Sequence, residues 1–358
     1  MEQINFIEEN SSSCVFKPAI QCSKSSIVIP SGNYVSWLSH ETYETYKQNI
    51  INYYIDRFIK TNINDWNDYY IFPYHSCILQ ENDMQMISQE EKIKCGRTEL
   101  KTNTIYEYNG ISLAKLFIND SRYSDLYEQF YSNIFNYIKK ILYAINKLNN
   151  IQIVHGNLDL ENIIFEGNNI KIINWNNLSH NVFKPLEIEP YFHKLLPPEQ
   201  YYKYIIKTNP FTFENINENK ISFIKKYCEM IINNINDTYI FKNQYAFIKH
   251  GIQNEFWVNA FEYTINGSKY KMREDAFTRL IEPFDIIIES LNNPEFKKKE
   301  YQLIDSFSIG CVLYKIVKHF NIARTHKIYM LIKSLIQFNP SERMDSSHLS
   351  PEDIENNL

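Results

Sequence analysis

The side chains best suited to polar chemistry in this 358-residue chain gather in two places near its middle. His155, Asn157, Asp159 and Asn162 lie close together, and Asn174 and Asn176 follow shortly after. An imidazole or a carboxylate can move a proton near neutral pH. A carboxamide cannot; it offers a cation only a neutral oxygen, which Mg²⁺ holds weakly compared with a charged one. Asp159 is the only carboxylate of the loop apart from Glu161. The apolar runs 151–154, 163–165 and 170–173 are short, β-branched and bounded by Gly and Asn, so they read as buried strands. The polar residues sit at their ends, and the turn between the second and third strands falls at Gly167-Asn168-Asn169. Polar clusters on loops held by apolar strands mark a site more often than a surface.

This pattern resembles the catalytic core of the protein-kinase superfamily. That family's loop reads His-Arg-Asp-Leu-Lys-x-x-Asn, and its next strand ends in Asp-Phe-Gly. Here the loop is His155-Gly156-Asn157-Leu158-Asp159-Leu160-Glu161-Asn162, and the strand ends in Asn174-Trp175-Asn176. The resemblance puts Asn157 at the position of the catalytic base, Asn162 and Asn174 at the metal positions, and His155 in a structural role. Both of the family's key carboxylates are amides in this chain.

Upstream, 14–38 reads as β-hairpin material, CVFKPAIQC then YVSWL, with a turn at Ser31-Gly32-Asn33. The resemblance implies a glycine-rich phosphate loop before it, but Asn10-Ser11-Ser12-Ser13 stands there, and serine cannot let a backbone approach phosphates as glycine does. It also implies a phosphate-binding lysine on the second strand, where this chain has Trp37. Trp37 either plugs the nucleotide cleft or faces the other side of its strand. Lys17 or Lys24 could supply a relocated positive charge, or both face water. Glu41 or Glu44, on a helix expected over 41–60, matches the glutamate that pairs with the family lysine; with Trp37 opposite, that pairing is lost. Strands are expected over 69–79 and 104–108 with a polar loop over 80–103. Glu107 and Tyr108, before Asn109-Gly110, resemble the hinge that binds adenine through its backbone. A single helix is expected over 124–149.

Further motifs follow in the family's order. Leu196-Pro197-Pro198-Glu199 resembles Ala-Pro-Glu, Asp305–Cys311 resembles the start of the central helix, and Asn339-Pro340-Ser341-Glu342-Arg343 carries the arginine that would form a buried ion pair with Glu199. Residues 204–300 have no counterpart and read as an ordered insertion, with helices expected at 221–235 and 275–291. Trp175 stands for the family phenylalanine and is expected to pack beneath the 41–60 helix.

Composition agrees with a folded protein: 44% hydrophobic and 22% charged residues. A net charge of −5 gives no general attraction for nucleic acid or membrane. The six cysteines show no CxxC pair or zinc spacing, so they read as free thiols in a reducing compartment. The acidic N-terminus lacks an apolar signal region. An intracellular, cytoplasmic protein is expected, in host cytoplasm or virion if viral.

The fold expected is α+β and bilobal, with a β-rich N-lobe at 1–112 and a mainly helical C-lobe at 113–358 that includes the insertion. The resemblance implies a pseudokinase that binds or scaffolds protein partners, with no cofactor, and ATP and Mg²⁺ only if residual nucleotide binding persists. One alternative is an unorthodox Ser/Thr protein kinase using Asp159. Another is a small-molecule phosphotransferase, whose loop also begins His-Gly. The stretches CVFKPAIQC and YVSWL, with the Asn/Ile/Tyr/Lys bias, also resemble kinase-like proteins of large nucleocytoplasmic DNA viruses.

Overall fold

Strands β1 (Asn5–Glu9), β2 (Ser13–Lys17) and β3 (Tyr34–Ser39) are short β-rich runs in which successive side chains point to opposite faces. They belong to a computed structural model that describes residues 3–9, 13–30, 32–39, 58–96, 100–118, 120–175, 178–180, 196–208, 223, 262–265, 268–271, 287–337 and 340–358. With β4 (Pro73–Ile78) and β5 (Thr102–Glu107) they form a five-stranded antiparallel sheet of order β1-β2-β3-β5-β4. The alternation builds two cores. Cys14, Phe16 and Leu38 face one side with Ile20, Leu79 and Leu100. Val15, Val35 and Trp37 face the other, with Tyr106, Tyr108, Ile164 and Ile173.

The first core is covered by two helices where a polar loop was expected over 80–103: α1 (Glu81–Gln85) and α2 (Gln89–Cys95). Their signals are local. The Ser88 hydroxyl accepts the Glu91 N–H, Glu90 and Glu91 suit the positive helix start, and Gly96 ends α2 in the left-handed region at φ 69°. The helix is short and mostly polar, so it lacks the apolar periodicity by which helices are read.

Four of the six cysteines are paired, which corrects the expectation of free thiols. Cys14 of β2 is bonded to Cys95 of α2, and Cys22 to Cys77 of β4. The partners are 81 and 55 residues apart, and the sheet brings them together. Spacing along the chain carries no trace of that. Cys311 is buried and belongs to neither disulfide.

Beyond the sheet come β6 (Ile111–Ser112), α3 (Leu113–Leu116), α4 (Ser124–Ser132) and α5 (Ile134–Asn150). The single helix expected over 124–149 is thus broken at Asn133, whose backbone (φ −127°, ψ 22°) leaves the helical region. Helix α5 buries Tyr137, Ile138, Ile141, Leu142, Ile145 and Leu148 at helical spacing. The strands expected around the polar cluster are present as β7 (Ile153–Val154), β8 (Ile163–Phe165) and β9 (Ile170–Ile172). Strands β6, β8 and β9 form a three-stranded sheet, with a left-handed Gly167 at the turn.

The chain divides into two compact units, Met1–Ile151 with Asn157–Leu178, and Gln152–Gly156 with Ser179–Leu358. The lobe boundary expected at 112 lies inside the first. The second unit is mainly helical among its described residues. It holds α6 (Pro198–Thr208), the hairpin β11 (Glu262–Ile265) and β12 (Ser268–Lys271), α7 (Pro294–His319), α8 (Ile328–Leu335) and α9 (Pro351–Asn357), and β7 pairs there with β10 (Ser179–His180). Helix α7 is buried on every side from Leu303 to Val317, as a central helix is. A Cβ on its Gly310 would lie 2.6 Å from Ile336 Cγ2 and 2.9 Å from Leu335 Cβ, so α7 and the end of α8 touch through the missing side chain. The class is α+β, as expected.

The helix expected over 41–60 falls outside the described residues up to position 57, and Glu41 and Glu44 with it. So do Asn10-Ser11-Ser12, Asn176 and most of the insertion; of its expected helices only 223 and 287–291 are described, and these are helical. No helix among the described residues is long and apolar enough to cross a membrane.

Candidate functional site

Strand β3 carries Trp37 on the same face as Val35, opposite Val15 of β2 in the register, facing Ile164 and Ile173 on the side of the three-stranded sheet. The indole is 5% exposed. It packs edge-on against Tyr106 at 5.4 Å between centroids, and its Nε1–H donates to the Tyr108 hydroxyl at 3.2 Å. Ile164 of β8 and Ile173 close the same cluster from the three-stranded sheet. Tryptophan therefore fills the space between the two sheets of the first unit. Burial pushes the Tyr108 hydroxyl far above its ordinary pKa, and the nearby Glu8 adds to the rise.

The stretch that resembles the hinge has its backbone donors in use. The Tyr108 N–H donates to the Asn33 carbonyl at 2.9 Å, and the Asn109 N–H to Glu166 Oε1 at 3.2 Å. Glu107 is exposed, and its charge helps raise the pKa of Tyr34, after burial. Gly110 is required by close approach: a Cβ there would lie 2.4 Å from the Phe165 carbonyl oxygen. Nothing in the spacing of the chain foretold that contact.

The structure brings the side-chain amides of Asn162 and Asn174 together and sets the backbone of Asn157 beside them. Asn174 Nδ2 donates to Asn162 Oδ1 at 3.0 Å, and Asn162 Nδ2 to the Asn157 carbonyl at 2.7 Å. Asn174 has φ 70°, a left-handed conformation that Asn tolerates better than most residues. Its Oδ1 is buried without a hydrogen-bond partner. The set fits Mg²⁺ poorly. It holds no carboxylate, and the Asn162 oxygen that would face a cation already accepts an amide proton. Asp159 caps the turn that follows it, its Oδ1 accepting the Leu160 N–H at 2.6 Å. Lys17 donates to the amide oxygens of Asn33 and Asn109, at 3.3 and 3.2 Å, and Lys24 is exposed. Trp175 is fully buried, donates to the Ile71 carbonyl at 2.8 Å and packs on Tyr70 and Phe72.

In the second unit, His155 is buried and its backbone N–H donates to Asp305 Oδ2 at 2.6 Å, while the Gly156 N–H donates to Oδ1 at 3.0 Å. Burial pushes the Asp305 carboxyl up to about 7, against the pull of those two N–H groups. Glu199 and Arg343 form the expected pair. Nη1 donates to Oε1 and Nη2 to Oε2, the latter at 3.0 Å, with both side chains fully buried. The Arg343 Nε donates to the Gln337 carbonyl, and its guanidinium lies over the Phe307 ring.

Sequence reading missed Glu8. It lies on β1, is 8% exposed, and its Oε2 accepts the Ser112 hydroxyl at 2.6 Å. A register shift between Phe6 and Glu8 re-aims it: Phe6 opposes Phe16 on one face, while Glu8 opposes Val15 on the Trp37 face. A bulge has no signature in the pattern of apolar residues, so Glu8 reads as one more acid of an acidic N-terminus.

No protein-family model matches the chain, and no curated protein matches it. Among solved structures it is similar to a rhoptry antigen kinase domain of Toxoplasma gondii, with 8% identity, TM-score 0.47, and coverage of 99% of this chain and 79% of that one. A rhoptry kinase of the same organism matches at 9% identity and TM-score 0.47, over 99% and 77%. A further solved kinase domain matches at 13% and 0.43, over 98% and 94%.

Proposed function

We propose that the chain is a protein-kinase-like domain that has given up phosphoryl transfer and acts by binding or scaffolding a protein partner. The observation that carries this reading is Trp37, buried in the cleft between the two sheets and hydrogen-bonded to Tyr108. Phosphoryl transfer is catalysed by positioning and charge: a lysine on the phosphates, carboxylates on the metal and a carboxylate at the attacking hydroxyl. This chain has an indole in place of the first and amides in place of the others, and the hinge-like Asn109 N–H that would meet an adenine is bonded to Glu166. Loss of a general base costs ~10²–10⁴ in rate, and losses among parts that act as a unit do not simply add.

Neither alternative gains an observation of its own. An unorthodox Ser/Thr kinase needs Asp159 as its base, and that carboxylate caps a turn. A small-molecule phosphotransferase has no use for the Pro197-Pro198-Glu199 segment and its Arg343 partner, which resemble the protein-kinase pattern. The kinship with viral kinase-like proteins is supported by residues 14–38 and by composition. As to compartment, the two disulfides favour an oxidising setting over the cytoplasm that the cysteine spacing suggested.

Incubation with γ-labelled ATP, Mg²⁺ and a generic Ser/Thr protein substrate tests the reading. No transfer above background is expected, for the wild type or for Asp159→Asn. Transfer by the wild type that Asp159→Asn abolishes would establish the unorthodox kinase instead.

A further inference from the structure

Helix α2 packs against the outer strand β1 with little of its own to hold it there. Of its seven residues only Glu91 and Cys95 are buried, and its one aliphatic side chain, Ile93, is 70% exposed. Seven residues make about two turns, and a helix that short is marginal in water by itself. Its flanks are better seated, since Ile87 and Leu100 belong to the first core. Among the described residues, two attachments reach from α2 to the sheet. Glu91 accepts the Phe6 N–H of β1, and the Lys94 ammonium steadies that carboxylate at 2.6 Å. Cys95 is bonded to Cys14 of β2.

We propose that the Cys14–Cys95 bond is a redox-sensitive clasp: oxidised, it holds α2 on β1 and β2; reduced, it lets the helix leave them while the sheet stays folded. With α2 gone, the Phe6 N–H loses its acceptor and the outer edge of β1 lies open. An edge strand with bare donors is where another strand adds. The second disulfide has no such lever. Cys77 sits within β4, paired with β5 on both sides of it, and next to Cys22 the Ile20 N–H donates to Ser36 while its carbonyl accepts from Asn103. The clasp does not depend on whether the cleft takes nucleotide.

The co-reactant is a dithiol, either a small one or the paired thiols of a reducing compartment. One of its thiolates attacks the Cys95 sulfur, the S–S bond breaks, and Cys14 leaves as a thiolate that takes up a proton. The second thiol then displaces Cys95 from the mixed disulfide. Two electrons and two protons pass from the dithiol, which ends as a disulfide, to the two cysteines, which end as thiols. Cys14 and Cys95 are both fully buried, so the bond is reached through the helix end. Cys95 is the last residue of α2, between exposed Lys94 and Gly96, and the Gly96 N–H closes that turn on the Lys92 and Ile93 carbonyls. Local fraying of the final turn bares the sulfur.

Hydrogen–deuterium exchange of the purified protein with and without dithiothreitol tests this, with alkylation and peptide mapping of the same samples over time. In the wild type the Gln89–Gly96 amides are expected to exchange roughly tenfold faster or more once reduced. The rise follows alkylation of Cys14 and Cys95 rather than that of Cys22 and Cys77, and the β5 and α5 amides do not change. Cys22→Ser/Cys77→Ser keeps the response, whereas Cys14→Ser/Cys95→Ser exchanges fast in α2 with or without reductant. Unchanged α2 exchange after both thiols become alkylatable overturns the proposal, as does a response lost in Cys22→Ser/Cys77→Ser. A rise that spreads to β5 and α5 also overturns it, because the bond would then staple the whole unit. So does a Cys14–Cys95 bond that the dithiol leaves intact in the folded protein. Should the serine variants fail to fold, the wild-type time course decides alone.

Discussion

On the proposed reading, an indole at position 37 takes the place of charge with volume. A lysine there would need phosphate or a carboxylate to justify its burial; tryptophan needs only apolar neighbours and one acceptor for its N–H, and it has Val15, Tyr106, Ile164 and the Tyr108 hydroxyl. Nearby, the Asn174 amide donates to Asn162, and the Asn162 amide to the backbone carbonyl of Asn157. The indole should therefore be structural. Trp37→Ala is expected to lower unfolding stability by ~3–5 kcal/mol, the range for large aromatic truncations in a core, as measured by urea denaturation. A loss near zero would mean that the indole leaves the cleft in solution. These residue identities were legible in the sequence, because the motif frame survives around them. The face of Trp37 was not settled there, since a lone strand pattern does not say which of its sides meets the second sheet.

The elements that carry these residues divide into those with an apolar rhythm and those without. Helix α5 and strands β8 and β9 have it, and they formed where the sequence placed them. Helix α2 announces itself only through its ends, Ser88 and Gly96, and its apolar pattern alone suggests a loop. The break at Asn133 and the bulge in β1 change direction without changing composition. The disulfides fasten two pieces of chain to the sheet, Cys95 tying α2 to β2 and Cys77 of β4 holding the segment after β2 through Cys22. Each closes a long loop, and closing such loops stabilises by typically ~2–4 kcal/mol. Peptide mapping without reductant is expected to recover Cys14–Cys95 and Cys22–Cys77 as linked peptides, and reduction to lower the thermal midpoint. Four alkylatable thiols at those positions before reduction would contradict the pairing.

Among the described residues, the distant pair Glu199–Arg343 is the clearest case of a contact foreseen from sequence. Such a pair is legible because both partners lie in short motifs with fixed neighbours. What lay hidden depends on three-dimensional register: which face of β3 meets the second sheet, which cysteines the sheet brings together, and where a bulge sends an acid. On the proposed reading, the frame is kept and the cleft is filled from within. The most direct measurement is the thermal midpoint of the purified protein with excess ATP, with and without Mg²⁺. A ligand at 100 times its Kd would stabilise the fold by ~2.7 kcal/mol, a shift of roughly 3–4 °C for a chain of this length. The account predicts no shift in either condition. A shift that requires Mg²⁺ would contradict it.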